Sequence, residues 1–303
     1  MPQPVFVHFP HPGSEHNPGR ATRQAWNTNP KHRRKFLRSP GRYVAPDGPP
    51  TDALLAFWAE WEAPSYVIQR WPAKDDLPRY LQEPRWERPK NHDSFRQNTD
   101  PWVFGDCFRY SNCHQLNQSG LQNLAPGSVI LFGSTLGLAS DAGPRFVLDT
   151  LFVVGEQRQR FTPTDPPKTD EVFRVCTIEP LATLGNPDAC GAAGVCGDAN
   201  AWFTLYTGAT YEAQINGMYS FVPCRRVDRD DFRFARPSLS LPAEIVNPRS
   251  WQSPKGAGRP RPVDEITGLW AIVRDQVLAA GCLPGVHFST PPEDEIGSHS
   301  AFA

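Results

Sequence analysis

Proline recurs 33 times in this 303-residue chain, against the roughly 5% of an average globular sequence. Each proline removes a backbone donor and fixes φ, so a chain interrupted this often is expected to fold as short strands and loops rather than as a helical bundle. The strand candidates agree. Residues 128–134, SVILFGS, and 145–155, RFVLDTLFVVG, are rich in β-branched and aromatic residues and are separated by a Gly-rich connection, the pattern of a hairpin. VFVHF at 5–9, EVFRVCTI at 171–178, WFTLY at 202–206 and MYSFVPC at 218–224 add further strands.

The expected fold class is therefore α+β: a small curved β-barrel or sheet with flanking helices, followed by an extended Pro-rich C-terminal tail that ends in a helix. A helix broken near Pro30 is expected within residues 20–38, loops over 44–53, and a surface linker over 72–100, which carries Pro72, Pro78, Pro84 and Pro89. The main β-rich body is assigned to residues 1–235, a wrapping segment or linker to 236–263, and a terminal amphipathic helix with an acidic tail to 264–303. In that helix Ile266, Leu269, Trp270, Val273 and Val277 recur at helical spacing, with Asp264 as the expected cap and Gly281 as the stop. Its apolar stripe offers a route to a homo-oligomer.

With 39% hydrophobic residues, a chain of this length buries a core without disulfides or metals. Its seven cysteines are odd in number and irregular in spacing, which fits reduced thiols and a cytoplasmic location. The opening residues carry no secretory pattern, and no run approaches the roughly 18 apolar residues of a membrane span. The net charge of −1 hides an asymmetry: residues 20–42 hold eight Lys or Arg and no Asp or Glu. Such a cluster either holds phosphate or is a solvated face. Trp26, Asn27, His32, Arg33 and Lys35 lie within it.

Five further runs carry candidate chemistry. In FWAEWE, residues 57–62, strand alternation puts Trp58, Glu60 and Glu62 on one face and Phe57, Ala59 and Trp61 on the other. An indole beside two carboxylates can stack on a base and accept its N–H groups; the bland alternative is an exposed acidic face. His8, His11, Glu15 and His16 crowd the start and can move protons near neutral pH, but their spacing matches no zinc pattern, and no metal is assigned. Asp106, Cys107, Arg109, Tyr110, Cys113 and His114 fall within residues 100–114, where a cation beside Cys107 would favour a thiolate; the alternative is a buried strand. Cys107/Cys113 and Cys190/Cys196 are each separated by five residues, wider than zinc pairs use. Tyr211 and the arginines at 225 and 226 offer a pocket edge. Neither a P-loop nor a dinucleotide fingerprint occurs, so no cofactor is identified.

FWAEWEAPS, DPWVFGDCFRY, LAPGSVILFGS and RFVLDTLFVVGE together resemble the bacterial nucleotide-modification-associated domain proteins, which are linked with PUA-like, ASCH-like and EVE-like barrels. That resemblance implies recognition of modified bases or nucleotides in nucleic-acid modification or phage defence. It assigns no catalytic residues. Three functions are carried forward. The first is a nucleotide- or nucleic-acid-binding protein, with phosphate on the basic segment and the base edge read by Trp58 with Glu60 and Glu62; Trp61 is a further binding candidate. The second is a nucleotide-directed hydrolase or transferase using His11, Glu60 or Cys107. The third is a structural interaction protein.

Overall fold

A computed structural model describes residues 3–10, 25–28, 33–46, 48–88, 99–112, 121–137, 143–162, 164–184, 203–247 and 259–294. His11, Glu15, His16, His32, Cys113, His114, Cys190 and Cys196 lie outside the described residues.

The fold is mostly β, in two mixed sheets with few helices. The first sheet runs in the order β1 (Phe6–Pro10), β7 (Val129–Leu136), β8 (Arg145–Phe161), β9 (Phe203–Gly208), β6 (Arg109–Asn112), with the short β11 (Ser238–Leu239) also on β8. The expected hairpin is its centre, since β7 and β8 pair antiparallel from Val129/Val153 to Leu136/Arg145. The ladder shifts register at Gly133, where a Cβ would stand 2.1 Å from the Val147 carbonyl oxygen. Only glycine permits that approach.

The second sheet runs β12 (Leu283–Phe288), β10 (Val222–Arg226), β3 (Pro50–Ala59), β2 (Lys35–Val44), β5 (Tyr80–Pro84), β4 (Ser65–Arg70). Strand β12 pairs with both β10 and β2, so pairing through β2, β3, β10 and β12 returns on itself. Alternate residues of each strand enter different cores, as period-two geometry requires. Phe57, Ala59, Trp61 and Ala63 join the first core, while Ala56 and Trp58 join the second.

Several expectations are corrected. Residues 171–178 are helical: α1 (Glu171–Phe173), a π-helical turn (Arg174–Ile178) and α2 (Glu179–Leu184) follow one another. Asp170 caps the start by accepting the Phe173 N–H at 2.9 Å, and the buried Val172, Phe173, Val175 and Cys176 fit a helical stripe as well as they fit a strand. In place of a helix, residues 35–44 form β2. In place of a surface linker, residues 80–84 form β5, between β2 and β4. The expected end of the β-rich body near residue 235 is passed by β12, which lies between β10 and β2.

Helix α3 (Val263–Ala279) matches the expected one, with Gly281 at φ +72° just beyond it. Pro262 rather than Asp264 holds the N-cap position, and Asp264 lies in the first turn. The apolar stripe of α3 is covered by its own chain: Trp270 donates its indole N–H to the Tyr219 carbonyl at 3.0 Å and packs edge-on to the Tyr219 ring. Among the described residues no helix is long and apolar enough to cross a membrane.

Candidate functional site

Residues 25–28 approach the second sheet through polar clasps. Asn27 Oδ1 accepts the backbone N–H groups of Arg79 and Tyr80, each at 2.7 Å, and Asn27 Nδ2 donates to the Tyr80 carbonyl at 2.9 Å. Gln82 Nε2 donates to the Ala25 carbonyl, and Thr28 Oγ1 accepts from Arg34 N–H. These bonds fix Trp26 beside the start of β2, where its ring meets the Lys35 ammonium at 5.0 Å and the Arg33 guanidinium at 5.8 Å.

Successive residues at the start of β2 point to opposite sides. Arg34 enters a buried cluster of charges. Its Nε donates to Asp149 Oδ2 at 2.7 Å, its Nη2 to the Gly133 carbonyl at 3.3 Å, and its Nη1 lies 3.4 Å from Glu60 Oε2. Arg236 reaches the other Asp149 oxygen at 3.2 Å and Ser134 Oγ at 2.8 Å. Although burial opposes the charge on Arg34, Asp149, Glu60 and Glu62 together hold its pKa above the ordinary value. Burial lowers that of Arg236, which has Asp149 in its favour and the neighbouring Arg34 against it.

Lys35 takes the other side and is fully buried, with Nζ donating to the Ala63 carbonyl at 2.8 Å. Burial pulls its pKa down to about 7, with Glu62 acting in the opposite direction. The basic run and the FWAEWE run, separated in sequence by β2 and β3, therefore converge here. Arg34, Lys35 and Arg236 face Glu60, Glu62 and Asp149 in a buried set of titratable groups.

The placement differs from both expectations for FWAEWE. Glu60 and Glu62 are 4% and 0% exposed, so they form neither a solvated acidic face nor an open base-reading face. Trp58 is also buried: it donates its indole N–H to the Phe234 carbonyl at 2.9 Å and packs against Phe36 and the Arg236 guanidinium. No stacking surface remains on it. Trp61 is wholly inside the first core, donating to Pro64 O and packed against Trp102 and Phe104.

The other candidates have structural partners. His8 is buried against Phe146 with Nδ1 3.1 Å from the Ile245 carbonyl; Nδ1 carries the proton, and burial holds the ring below its ordinary pKa. Cys107 is half-buried, and burial pushes its thiol up despite Arg109 nearby, so of its two readings this environment favours the unreactive thiol over the thiolate. Arg109 is ion-paired to Asp170 and lies over Phe173 at 4.9 Å. Asp106 is exposed. Tyr110 is buried and stacked on Tyr206, while Tyr211 packs edge-on to Tyr219 near α3. Among the described residues no group of three or more His, Cys, Asp and Glu is placed to hold a metal ion.

No protein-family model, curated protein or solved structure matches the chain. The site therefore rests on its own geometry. Arg34, Asp149 and Arg236 were not singled out from the sequence, yet one signal was present: Asp149 interrupts an otherwise apolar strand, RFVLDTLFVV. A carboxylate in such a run requires a buried cation.

Proposed function

We propose that the protein binds a nucleotide or a modified nucleic-acid base at the group formed by Trp26, Arg33, Lys35 and Glu62. The observation that carries this reading is the convergence of the basic segment on the two glutamates, with Lys35 lying against both Trp26 and the Ala63 carbonyl. Buried charges with perturbed protonation, gathered beside a half-exposed aromatic ring, are the usual mark of a site. The stacking ring passes from Trp58 to Trp26. Because Lys35 and Glu62 are buried in the free protein, the ligand has to move the Trp26 ring off Lys35 to reach them; it then stacks on that indole, Arg33 takes phosphate, Glu62 accepts N–H groups of the base edge, and Lys35 donates to a base carbonyl. Arg34 and Asp149 position Glu60 from behind. The resemblance to nucleotide-modification-associated domain proteins points the same way, and we read the returning ring β2–β3–β10–β12 as the counterpart of a PUA-like barrel.

The test is a thermal-shift screen with nucleoside monophosphates carrying ordinary and modified bases. The wild type is expected to be stabilised by at least one, and Trp26→Ala and Glu62→Gln to lose that shift while remaining folded. Normal shifts in both folded variants would overturn the assignment. A nucleotide-directed hydrolase or transferase is the second reading, favoured by the pKa of about 7 at Lys35, which suits proton transfer at neutral pH. Product formation that disappears in Lys35→Met would select it.

A further inference from the structure

The Trp26 ring has a neighbour of the same kind on β5. Tyr80 carries the Arg70 guanidinium at 5.3 Å and the Arg79 guanidinium at 5.6 Å from its ring centre. Asn27 ties the two rings together, since it holds the backbone of residues 79 and 80 and directly follows Trp26. Arg70 is opposite Tyr80 in the β4–β5 ladder, which fixes its place. Strand β4 is the edge of the second sheet, and its residues 68–70 are exposed. Arg33, Arg70 and Arg79 have no carboxylate partner among the described residues. Elsewhere on this sheet arginines have carboxylate partners: Arg38 and Arg85 share Glu83, and Arg42 pairs with Glu212. In the acidic turn at residues 75 and 76, Asp76 is paired with Arg145.

A guanidinium stacked on an aromatic face keeps its N–H edge free and is held flat for bidentate contact with phosphate. Three such groups around two tethered rings offer guanidiniums to more than one phosphate, and the exposed edge strand β4 supplies Arg70. We propose that this Trp26–Tyr80 face holds the backbone of a single-stranded nucleic acid through Arg33, Arg70 and Arg79, so that the Lys35–Glu62 site acts on a base within a strand rather than on a free nucleotide. This rests on the site reading above only for which base is addressed; the strand contact stands on the arginines.

The experiment is fluorescence anisotropy of labelled dT12 with the full chain across a salt series, beside a 12-base-pair duplex and AMP. Each phosphate contact to a single strand contributes about −0.7 to the slope of log Kobs against log [salt]. Three contacts give a slope of about −2, close to a hundredfold loss of affinity per tenfold salt, and R70A/R79A reduces it to about −0.7. All three arginines lie outside the core, so the variant should keep the wild-type melting temperature. Equal slopes for wild type and R70A/R79A, or duplex binding as tight as dT12, would overturn the strand contact. If dT12 binds with the expected slope while no mononucleotide stabilises the protein, the strand contact holds and the base site falls. If a mononucleotide binds through Trp26 and Glu62 and dT12 gains nothing over it, the base site holds and the strand contact falls.

Discussion

Replacing Asp149 by asparagine removes one charge from the buried set and leaves its shape. Asp149 receives Arg34 Nε at 2.7 Å and Arg236 Nη1 at 3.2 Å on different oxygens, so Asn can keep one acceptor but must present an NH2 group where the other guanidinium stands. Two buried guanidiniums are then left without the carboxylate they share. Breaking a buried ion pair from one side costs about 3–5 kcal/mol, set against the 5–15 kcal/mol that holds a typical domain together. Urea unfolding at pH 7 is the assay. With m near 3 kcal/mol/M, the upper end for small proteins, the midpoint should fall by roughly 1 M or more while m stays constant. Adding Arg236→Met to Asp149→Asn removes a guanidinium that has lost its carboxylate and should recover part of the loss, a coupling that a double-mutant cycle measures. Asp228→Asn, which disturbs only the exposed pair with Arg226, should change stability by less than about 1 kcal/mol. A loss below about 1 kcal/mol for Asp149→Asn would refute the reading of Asp149 as the buried carboxylate that holds Arg34 and Arg236.

Lys35 gives a pH signature. Its pKa is about 7 in the fold against an ordinary 10.5, so between these values the unfolded chain holds a proton that the folded one has lost. Stability contributed by this group therefore rises with pH across about 7 to 10.5, with a slope approaching 1.4 kcal/mol per pH unit near the middle of the window. The difference in unfolding free energy between wild type and Lys35→Met, followed from pH 6 to 10, should show that rise; a flat difference would contradict it. At Gly133 a methyl group would meet the Val147 carbonyl oxygen and the Phe146 ring. Gly133→Ala should accordingly lower stability by about 1–3 kcal/mol, read as a fall in melting temperature, and an unchanged value would remove the argument for close approach there.

The parts of the fold legible in the sequence are those where one period dominates. The β7–β8 hairpin has continuous β-branched and aromatic runs, and α3 repeats Ile266, Leu269, Trp270, Val273 and Val277 on one side. Residues 171–178 were misread because Val172, Phe173, Val175 and Cys176 satisfy helical spacing while their residue types favour strands; Asp170 as a cap decides it. Strands β5 and β12 were missed because prolines mark them as loops: Pro78 and Pro84 bracket β5, and Pro284 with Gly285 lies inside β12. Both find places beside β2 that only the tertiary arrangement provides.

At the site, alternation correctly separated Trp58 from Trp61, but sequence alone left the two glutamates at the surface. Their burial depends on Arg34 and on Asp149, which is 115 positions from Arg34, and no local pattern reports a partner so distant. Trp26 and Asn27 were recognisable as part of a basic segment. Their attachment to Tyr80 depends on backbone groups of residues 79 and 80, which side-chain patterns do not show.

The central claim is that a base is held between Trp26 and Glu62, with phosphate toward Arg33. The most direct measurement is a crystal structure of the protein with the nucleoside monophosphate that stabilises it most. The base should lie against the Trp26 indole, with its polar edge within hydrogen-bonding distance of Glu62 or Lys35 and its phosphate on Arg33. A nucleotide seated instead beside Cys107 and Arg109, with Trp26 still covering Lys35, would contradict it.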